Sequence, residues 1–474
     1  MSLNGRFLKK GNKIGSINSL LYGVVQDDFS FPIWKSWEQR AFQFFFIFLL
    51  LLTLPIDFRF YKLLFSIDWL HINFYSIFQI VRYQTQFLPI IYLPKWGIGS
   101  FGNWGVAAIV AFILSQVWWH YSSNYLKNYT ALNYWLRVIL RYRLASLLIV
   151  YGFIKVFPIQ MPFPSLSNLV TNYGDFYAWK IYFQTLGISP KYESFLGFIE
   201  IFAAILLINR KTATFGTGLL IGFLGNVAVA NGFYDIGEHV LSTYIVLLSV
   251  FLFAYDIPRL YNYFIKDDKE TIADRFKPDF SEKKLSRIRL FLKFGFIAFI
   301  LLYGILTQHS FAIESYKLPK EQGLHGAYGY YDVTNFVLNH DTINYSFSDP
   351  HRWVDVVFEK WSTISIRDNR PVIVDKTSGE GYYDKDIDRN YELAGNGGRH
   401  YYYYTIDSTR RLLFLQNKNR AKRFDKFTLH YTFINDSTLA LDGSLDNSDS
   451  AFIVLRKKKL DFLMFEGRRH PVKN

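Results

Sequence analysis

The stretch Tyr192–Asn209, YESFLGFIEIFAAILLIN, decides the architecture. Apart from two glutamates its residues suit hydrocarbon, and its length is close to the ~20 residues a helix needs to cross a core of about 30 Å. Glu200 stands at its centre. An ionisable group there costs roughly 2.5 to 3.5 kcal/mol on insertion scales, so it faces a partner or a wet cavity and not lipid. Gly197, Ala203 and Ala204 share its helical face, which predicts close approach of neighbouring backbones.

Outward from this stretch, apolar runs of similar length fall near 41–56, 104–121, 138–157, 191–209, 212–231, 239–256 and 290–307. They predict about seven transmembrane helices, the first a retained anchor because no small-residue cleavage site follows it. Half of the 474 residues are hydrophobic and 19% are aromatic, yet mean hydropathy is near zero. That mixture suits a membrane bundle fused to a water-soluble part. Cysteine is absent, which removes disulfides, thiolate metal sites and Cys-ligated iron–sulfur clusters.

Orientation follows from the basic residues, which are retained on the cytoplasmic side. One side collects Arg6, Lys9, Lys10, Lys13, Lys35 and Arg40, then Lys127, Arg137, Arg141 and Arg143, then Arg210 and Lys211, and finally the run from Arg259 to Lys293. The connections at 57–103, 158–190 and 232–238 are sparse in them. The N-terminus is therefore expected inside and the chain after the last helix outside, in a bacterial cytoplasmic (inner) membrane. The lipid bilayer itself accounts for the net charge of +14, since flanking basic residues are attracted to anionic head groups, and nucleic acid is excluded as a partner.

From 318 onward the pattern changes to short alternating runs: WVDVVFE, WSTISIRD, PVIVD, HYYYYTID, RLLFLQ, FTLHYTF, STLALDG and AFIVLRK. Period-two alternation bounded by Asn, Asp, Gly and Pro predicts an antiparallel β-rich domain, a barrel or a sandwich with a filled core. Asn435-Asp436-Ser437 and Asp442-Gly443 read as turns or strand ends, and GNGG at 395–398 as a turn and not a phosphate loop. The cluster His400, Tyr401 to Tyr404 and His430 is expected to be structural, with no metal-ligand spacing. The resulting organisation is a cytoplasmic segment 1–40, two helices and an outer loop in 41–136, a four-helix core 137–260, a basic linker 261–289 split by Pro278, a seventh helix 290–307 and an exported β domain 318–474.

The most informative motifs lie in the core. RYRLA (141–145) leads to YGFIK (151–155); the Glu200 helix runs into a break at Arg210-Lys211-Thr212; a glycine-rich helix with Asn226 follows, then Asn231 and Tyr234-Asp235. This stretch resembles the DoxX-like membrane proteins, a family of four-helix proteins that includes DoxD subunits linked to sulfur oxidation. The resemblance implies a DoxX-like core and a quinone-linked oxidoreductase component, in which Glu200 handles protons and Lys155 holds its charge state. Gly237-Glu238-His239 departs from the family, where a Pro and then a Lys commonly follow the Tyr-Asp pair.

Gly218, Gly222, Asn226 and Ala230 are spaced to share one helical face, which predicts that Asn226 points into the bundle, while Asn231 and Tyr234 lie nearer the surface. From the 1.5 Å rise per residue, Glu200 lies roughly 12 Å, Asn226 about 8 Å and Lys155 about 5 Å below the outer surface. Lys155 either pairs with Glu200 or snorkels past Pro158. Gln160, Asn231, Asp235, Glu238 and His239 complete a polar pocket expected to open outward.

Two functions from different classes fit these residues. One is the quinone-linked redox component, with quinone as candidate cofactor; no haem is expected, because His120 and His239 sit near opposite faces. The other is a non-enzymatic membrane module that binds a small or lipid-like ligand, or an envelope or periplasmic protein partner, through the exported domain. A proton-coupled transporter is a third, without visible inverted repeats.

Overall fold

In the computed structural model, residues 34–89, 97–122, 129–267, 278, 283–314, 316–445 and 449–466 are described. The chain divides into two compact units, one made of Met1–Ile154 with Leu196–Thr307, the other of Lys155–Phe195 with Gln308–Asn474. The division therefore crosses three helices, two in their last turn and one in its first turns. Residues 1–33 of the expected 1–40 segment, and 268–277 and 279–282 of the 261–289 linker, lie outside the described residues.

The first unit is helical: α1 (Ser36–Thr53), α2 (Phe58–Ser66), α3 (Phe74–Arg82), α4 (Gly102–Ser122) and α5 (Thr130–Val156). In the second unit α6 (Leu166–Leu169) and α7 (Ala178–Gly187) follow, and the chain then returns through α8 (Pro190–Ile208) to α9 (Ala213–Phe233), α10 (His239–Ala254), α11 (Ile257–Phe264) and α12 (Lys283–His309). Leu136, Leu140, Leu144, Leu147 and Leu148 of α5 are fully or almost fully buried, so this helix is a central element of the unit. On α8 the buried face is Gly197, Glu200, Ala203, Ala204 and Leu207, as the small-residue spacing predicts. Gly152 permits the approach: a Cβ there would lie 2.7 Å from Ile201 Cγ1 and 3.0 Å from the Gly197 carbonyl.

Helix α9 turns a different face inward from the one expected. Ala213, Gly216, Thr217, Leu220, Leu224 and Asn231 are buried, whereas Gly222 and Asn226 are exposed. The reason is Gly216, where a Cβ would stand 3.0 Å from Leu206 Cβ; the tight contact forms there and rotates the Gly222–Asn226 stripe outward.

Among the described residues four helical stretches are long and apolar enough to cross a membrane, Ser36–Ser66, Ile98–Tyr121, Ala213–Phe233 and Lys283–Ile313, and a fifth if His239–Ala254 and Ile257–Phe264, bent by 58°, make one span. Helices α5 and α8 form where expected but are not among the four. Each is charge-rich: Arg137, Arg141, Arg143 and Lys155 on one, Lys191, Glu193 and Glu200 on the other.

The second unit is a closed antiparallel barrel. Its strands are β1 (Gly329–Leu338), β2 (Asp341–Thr342), β3 (Asp355–Phe358), β4 (Thr363–Arg367), β5 (His400–Asp407), β6 (Leu412–Asn417), β7 (Lys426–Asn435), β8 (Thr438–Ser444) and β9 (Ser450–Lys458). Each of β3 to β9 pairs with its neighbour in sequence, and β1 pairs with both β3 and β9, which closes a ring of eight strands with β2 as a spur on β1. Closure removes the exposed edges that an open sheet would present. Alternate residues turn inward; Tyr331, Phe336, Trp353, Phe358, Ile366, Tyr402, Tyr404, Leu415, Leu441 and Ile453 join one packed cluster, so side chains fill the barrel.

One expectation is corrected here. PVIVD (371–375) alternates but forms no strand: Pro371 lacks an N–H, and the Asp375 carboxylate is used by a loop, accepting from Thr377 N at 2.9 Å and Asn390 Nδ2 at 2.6 Å. Asp442-Gly443 stands at a strand end, within the last three residues of β8 and opposite Leu429 and His430, and Asn435-Asp436-Ser437 links β7 to β8, both within the reading of turns or strand ends.

The connection 158–190, expected as an outer loop, packs onto the barrel. Glu359 accepts from Ser167 N and Oγ at 2.7 and 2.6 Å, Asn396 reaches Asn168 at 3.2 Å, and Tyr177 N donates to Gly395 O at 2.9 Å. Gly395 has φ +69°, and a Cβ there would meet the Trp179 ring at 2.8 Å, so only glycine fits this crossing.

Candidate binding site

Within the helical unit a cavity of about 290 Å³ is lined by Leu52, Gln79, Arg82, residues 83–86, Ser100, Asn103, Trp104, Glu238, Leu241 and Tyr244, among others. The walls are set by local chemistry. Asp57 caps the start of α2, accepting from Phe60 N at 2.9 Å, and its carboxylate also receives the Tyr83 hydroxyl at 2.5 Å and Gln86 N at 2.7 Å. Arg143 satisfies the end of α3 by donating to the Val81 and Tyr83 carbonyls, both at 2.6 Å. Asn103 Oδ1 accepts from Phe87 N and Leu88 N, each at 3.0 Å. The 83–88 segment is thus held at both ends although it has no regular structure.

The charged centre of the cavity is Glu238. Its Oε1 lies 2.5 Å from Arg82 Nη2, and its Oε2 accepts the Tyr151 hydroxyl at 3.2 Å. The two side chains of the ion pair are 25% and 18% exposed, so the pair is sheltered but reachable. Beside it, His239 Nε2 is 2.7 Å from Ser100 Oγ, which donates its own proton to Gly97 O at 2.6 Å. A hydroxyl has one proton to give, so His239 Nε2 carries the hydrogen in this pair. Tyr244, in the cavity wall, shares a hydrogen bond of 3.0 Å with Thr53. The set offers an acid, a base, a fixed cation and several amides around a partly aromatic wall, which can orient a small polar ring or exchange a proton with it.

Of the residues singled out from sequence, Glu238 lines this cavity and His239 adjoins it through Ser100. Glu200 is buried at 2% exposure on α8 and is not among the residues that line the cavity, and Asn226 is exposed. Asn231, expected near the surface, is buried at 6%, while Asp235 is exposed with φ 52° in the turn after α9. Lys155 and Gln160 belong to the other unit. There the Gln160 carbonyl accepts from Lys317 Nζ at 2.5 Å, and Lys155 acts electrostatically on Glu193. Arg82, Ser100 and Asn103 were not singled out, and Tyr151 entered only as part of the YGFIK motif; the one further signal was a charge, Arg82, closing the apolar run FYSIFQIV.

No family model matches the chain. Over 79 residues it is 35% identical to the uncharacterized protein YwoB of Bacillus subtilis (strain 168), a match that takes in 17% of this chain and 49% of that protein. The chain thus spans about half the length of the curated relative it matches. No solved structure matches it.

The barrel unit holds a second concentration of buried charge. Lys180, entirely buried, donates to the Tyr391 carbonyl and sits 3.7 Å from the Tyr391 ring centroid, with Lys317 Nζ at 4.6 Å from the same ring. Burial, reinforced by Lys317, holds the Lys180 ammonium well below the usual lysine range. Glu392 accepts from Trp361 Nε1 at 3.1 Å and pairs with Lys418 at 3.4 Å. Burial, and then the Glu392 charge, pushes Glu359 up to about 7. His400 lies 3.2 Å from Asp368, and the Tyr401 hydroxyl joins Asn396 and Asn168, so the histidine–tyrosine cluster is tied into the fold. Among the described residues no group of three His, Asp or Glu has metal-binding geometry.

Proposed function

We propose that this chain is a multi-pass membrane protein whose helical unit binds a small ring-bearing polar molecule at the Arg82–Glu238 cavity. The observation that carries this reading is the Glu238 carboxylate, clamped by Arg82 and Tyr151 on the wall of a cavity whose lining also includes amides, hydroxyls, aromatic rings and the aliphatic Leu52, Val240 and Leu241. A volume near 290 Å³ meets the lower end of what small-molecule sites need, about 300 Å³. The reading counts α5, α8 and the bent α10–α11 pair with the four apolar spans, giving seven, with charged faces turned into the bundle. The distribution of basic residues supports a cytoplasmic N-terminus and an exported barrel in a bacterial inner membrane.

A quinone head group is the ligand class implied by the DoxX-like motifs. Its carbonyl oxygens would find donors in Arg82, Gln79 and Asn103, its ring would meet Trp104 and Tyr244, and Glu238 would exchange the proton. The test is calorimetric titration of the full-length protein, in detergent, with a short-chain quinone, alongside Glu238→Gln and Arg82→Met. Saturable binding that weakens about tenfold in either variant is expected, the loss of one charge-assisted contact. Absence of saturable binding to the wild-type chain would sink the quinone assignment. Binding without quinone-coupled electron transfer would make the protein a binding module and not an oxidoreductase component.

A further inference from the structure

The barrel unit holds a small cavity of about 10 Å³, lined by Asn396, Arg399, Tyr401, Asn417, Asn419 and Lys422, with His400 and three aliphatic side chains completing the wall. Strand pairing assembles it: Arg399 and Tyr401 stand at the start of β5, Tyr402 lies opposite Asn417 at the end of β6, and Asn419 and Lys422 belong to the connection that follows. Arg399 is 1% exposed, and its fork is only partly used. Its Nε donates to Ser365 Oγ at 2.9 Å and its Nη2 lies 2.6 Å from Asp355 Oδ1, whereas the buried Nη1 has no hydrogen-bond partner. A buried donor of this kind calls for an acceptor. Lys422 is half-buried, and among the described residues its ammonium has no partner either.

The bland reading is one buried water, which the volume would hold. A water must also give away its two protons, and the side-chain oxygens around it are already engaged. Asn396 Oδ1 accepts from Gly398 N at 2.9 Å, Asn417 Oδ1 from Asn419 N at 2.9 Å and Asn419 Oδ1 from Ala421 N at 3.0 Å. The Tyr401 hydroxyl accepts from Asn396 Nδ2 at 2.8 Å and donates its own proton to Asn168 Oδ1 at 3.1 Å. The surplus is of donors, which suits a species that only accepts. Charge points the same way. Asp355 is shared between Arg399 and Arg367, the latter at 2.8 Å, and one carboxylate cannot balance two guanidinium groups. Asp368 is taken by Arg370 at 2.7 Å and by His400 at 3.2 Å, and Asp425, which accepts from Asn417 Nδ2 at 3.4 Å, offsets only one of the remaining positive charges. The space admits one atom of about the size of a water oxygen and excludes a tetrahedral oxyanion.

We propose that Arg399 and Lys422 bind a single monatomic anion, of the class of chloride, which joins the start of β5 to the β6–β7 connection. The site is independent of the Arg82–Glu238 cavity. Hydrogen exchange of the 417–423 peptide is followed in the full-length protein, in an uncharged detergent, as sodium chloride or sodium bromide replaces sodium gluconate at constant ionic strength. Protection is expected to rise saturably, by about tenfold once the halide reaches roughly ten times its dissociation constant. Lys422→Gln, at the half-buried rim, should need about tenfold more halide for the same protection, and Lys422→Arg should restore the response, each variant accepted only with an unchanged circular dichroism spectrum. Crystals grown in bromide should show one anomalous peak within hydrogen-bond reach of Arg399 Nη1. Protection that is the same in gluconate and in halide, a Lys422→Gln protein that responds like the wild type, or a bromide-soaked crystal with no anomalous peak at Arg399, the result expected of a water, overturns the proposal.

Discussion

Glu359 makes the barrel unit sensitive to pH in a calculable way. Its carboxylate is 2% exposed and accepts three donors from the α6 turn, Ser167 N at 2.7 Å, Ser167 Oγ at 2.6 Å and Leu166 N at 3.4 Å. In the unfolded chain it titrates near 4.5; in the folded chain burial and then Glu392 push it up to about 7. A raised folded-state value means the folded form holds its proton longer than the unfolded form. The associated stability is complete below the unfolded value and is lost as pH climbs through the folded one. At 1.36 kcal/mol per unit, moving from about pH 5.5 to about pH 8.5 removes roughly 2 kcal/mol. Hydrogen exchange of the 165–169 peptide, corrected for intrinsic rates, should therefore show protection falling about thirtyfold over that range. Glu359→Gln, which cannot ionise, should flatten the dependence. A wild-type peptide whose corrected protection ignores pH, or a glutamine variant that keeps the full dependence, would refute the reasoning.

Two further outcomes test the helical packing. Gly152→Ala forces a methyl to within 2.7 Å of Ile201 Cγ1 and 3.0 Å of Gly197 O, and should lower the thermal midpoint by an amount equivalent to about 1–3 kcal/mol; an unchanged midpoint would mean that α5 and α8 are not in contact there. Asn226→Leu, on an exposed face, should move stability by no more than about 0.5 kcal/mol, while Asn231→Leu, 6% exposed, should cost about 1–3 kcal/mol, and the reverse order would mean that α9 is rotated.

What could be read in the sequence depended on how local the governing physics was. Strands β5 to β9 announced themselves by alternation, since each turns alternate residues into the same core, while β3 and β4 stood out as short runs rich in β-branched residues and are buried on both faces. Strand β1 did not, because its register shifts between Val333 and Asn335 and breaks the period. The Glu200 face of α8 was legible because small residues and the carboxylate agree at helical spacing. The α9 face was not, because Gly216 and the Gly218–Gly222 pair offer two competing close-packing stripes and the position of Leu206 chooses between them. In the cavity, Glu238 and His239 stood out as polar residues next to an apolar helix. Their partners Arg82, Tyr151 and Ser100 come from elsewhere in the chain, up to 156 residues away, and their meeting is a property of the folded unit alone.

The 155–195 segment lies between two helices of the bundle, yet it belongs to the barrel unit. During synthesis it leaves the ribosome long before the strands it will cover. At roughly 5–20 residues per second, the interval until β9 pairs with β1 is on the order of ten seconds or more. Through that interval Lys180, Ser167 and Trp179 wait without Tyr391, Glu359 and Gly395. The maturing chain must therefore shelter this segment before its cover exists, and an interruption of translation anywhere before β9 leaves a barrel unit that cannot close.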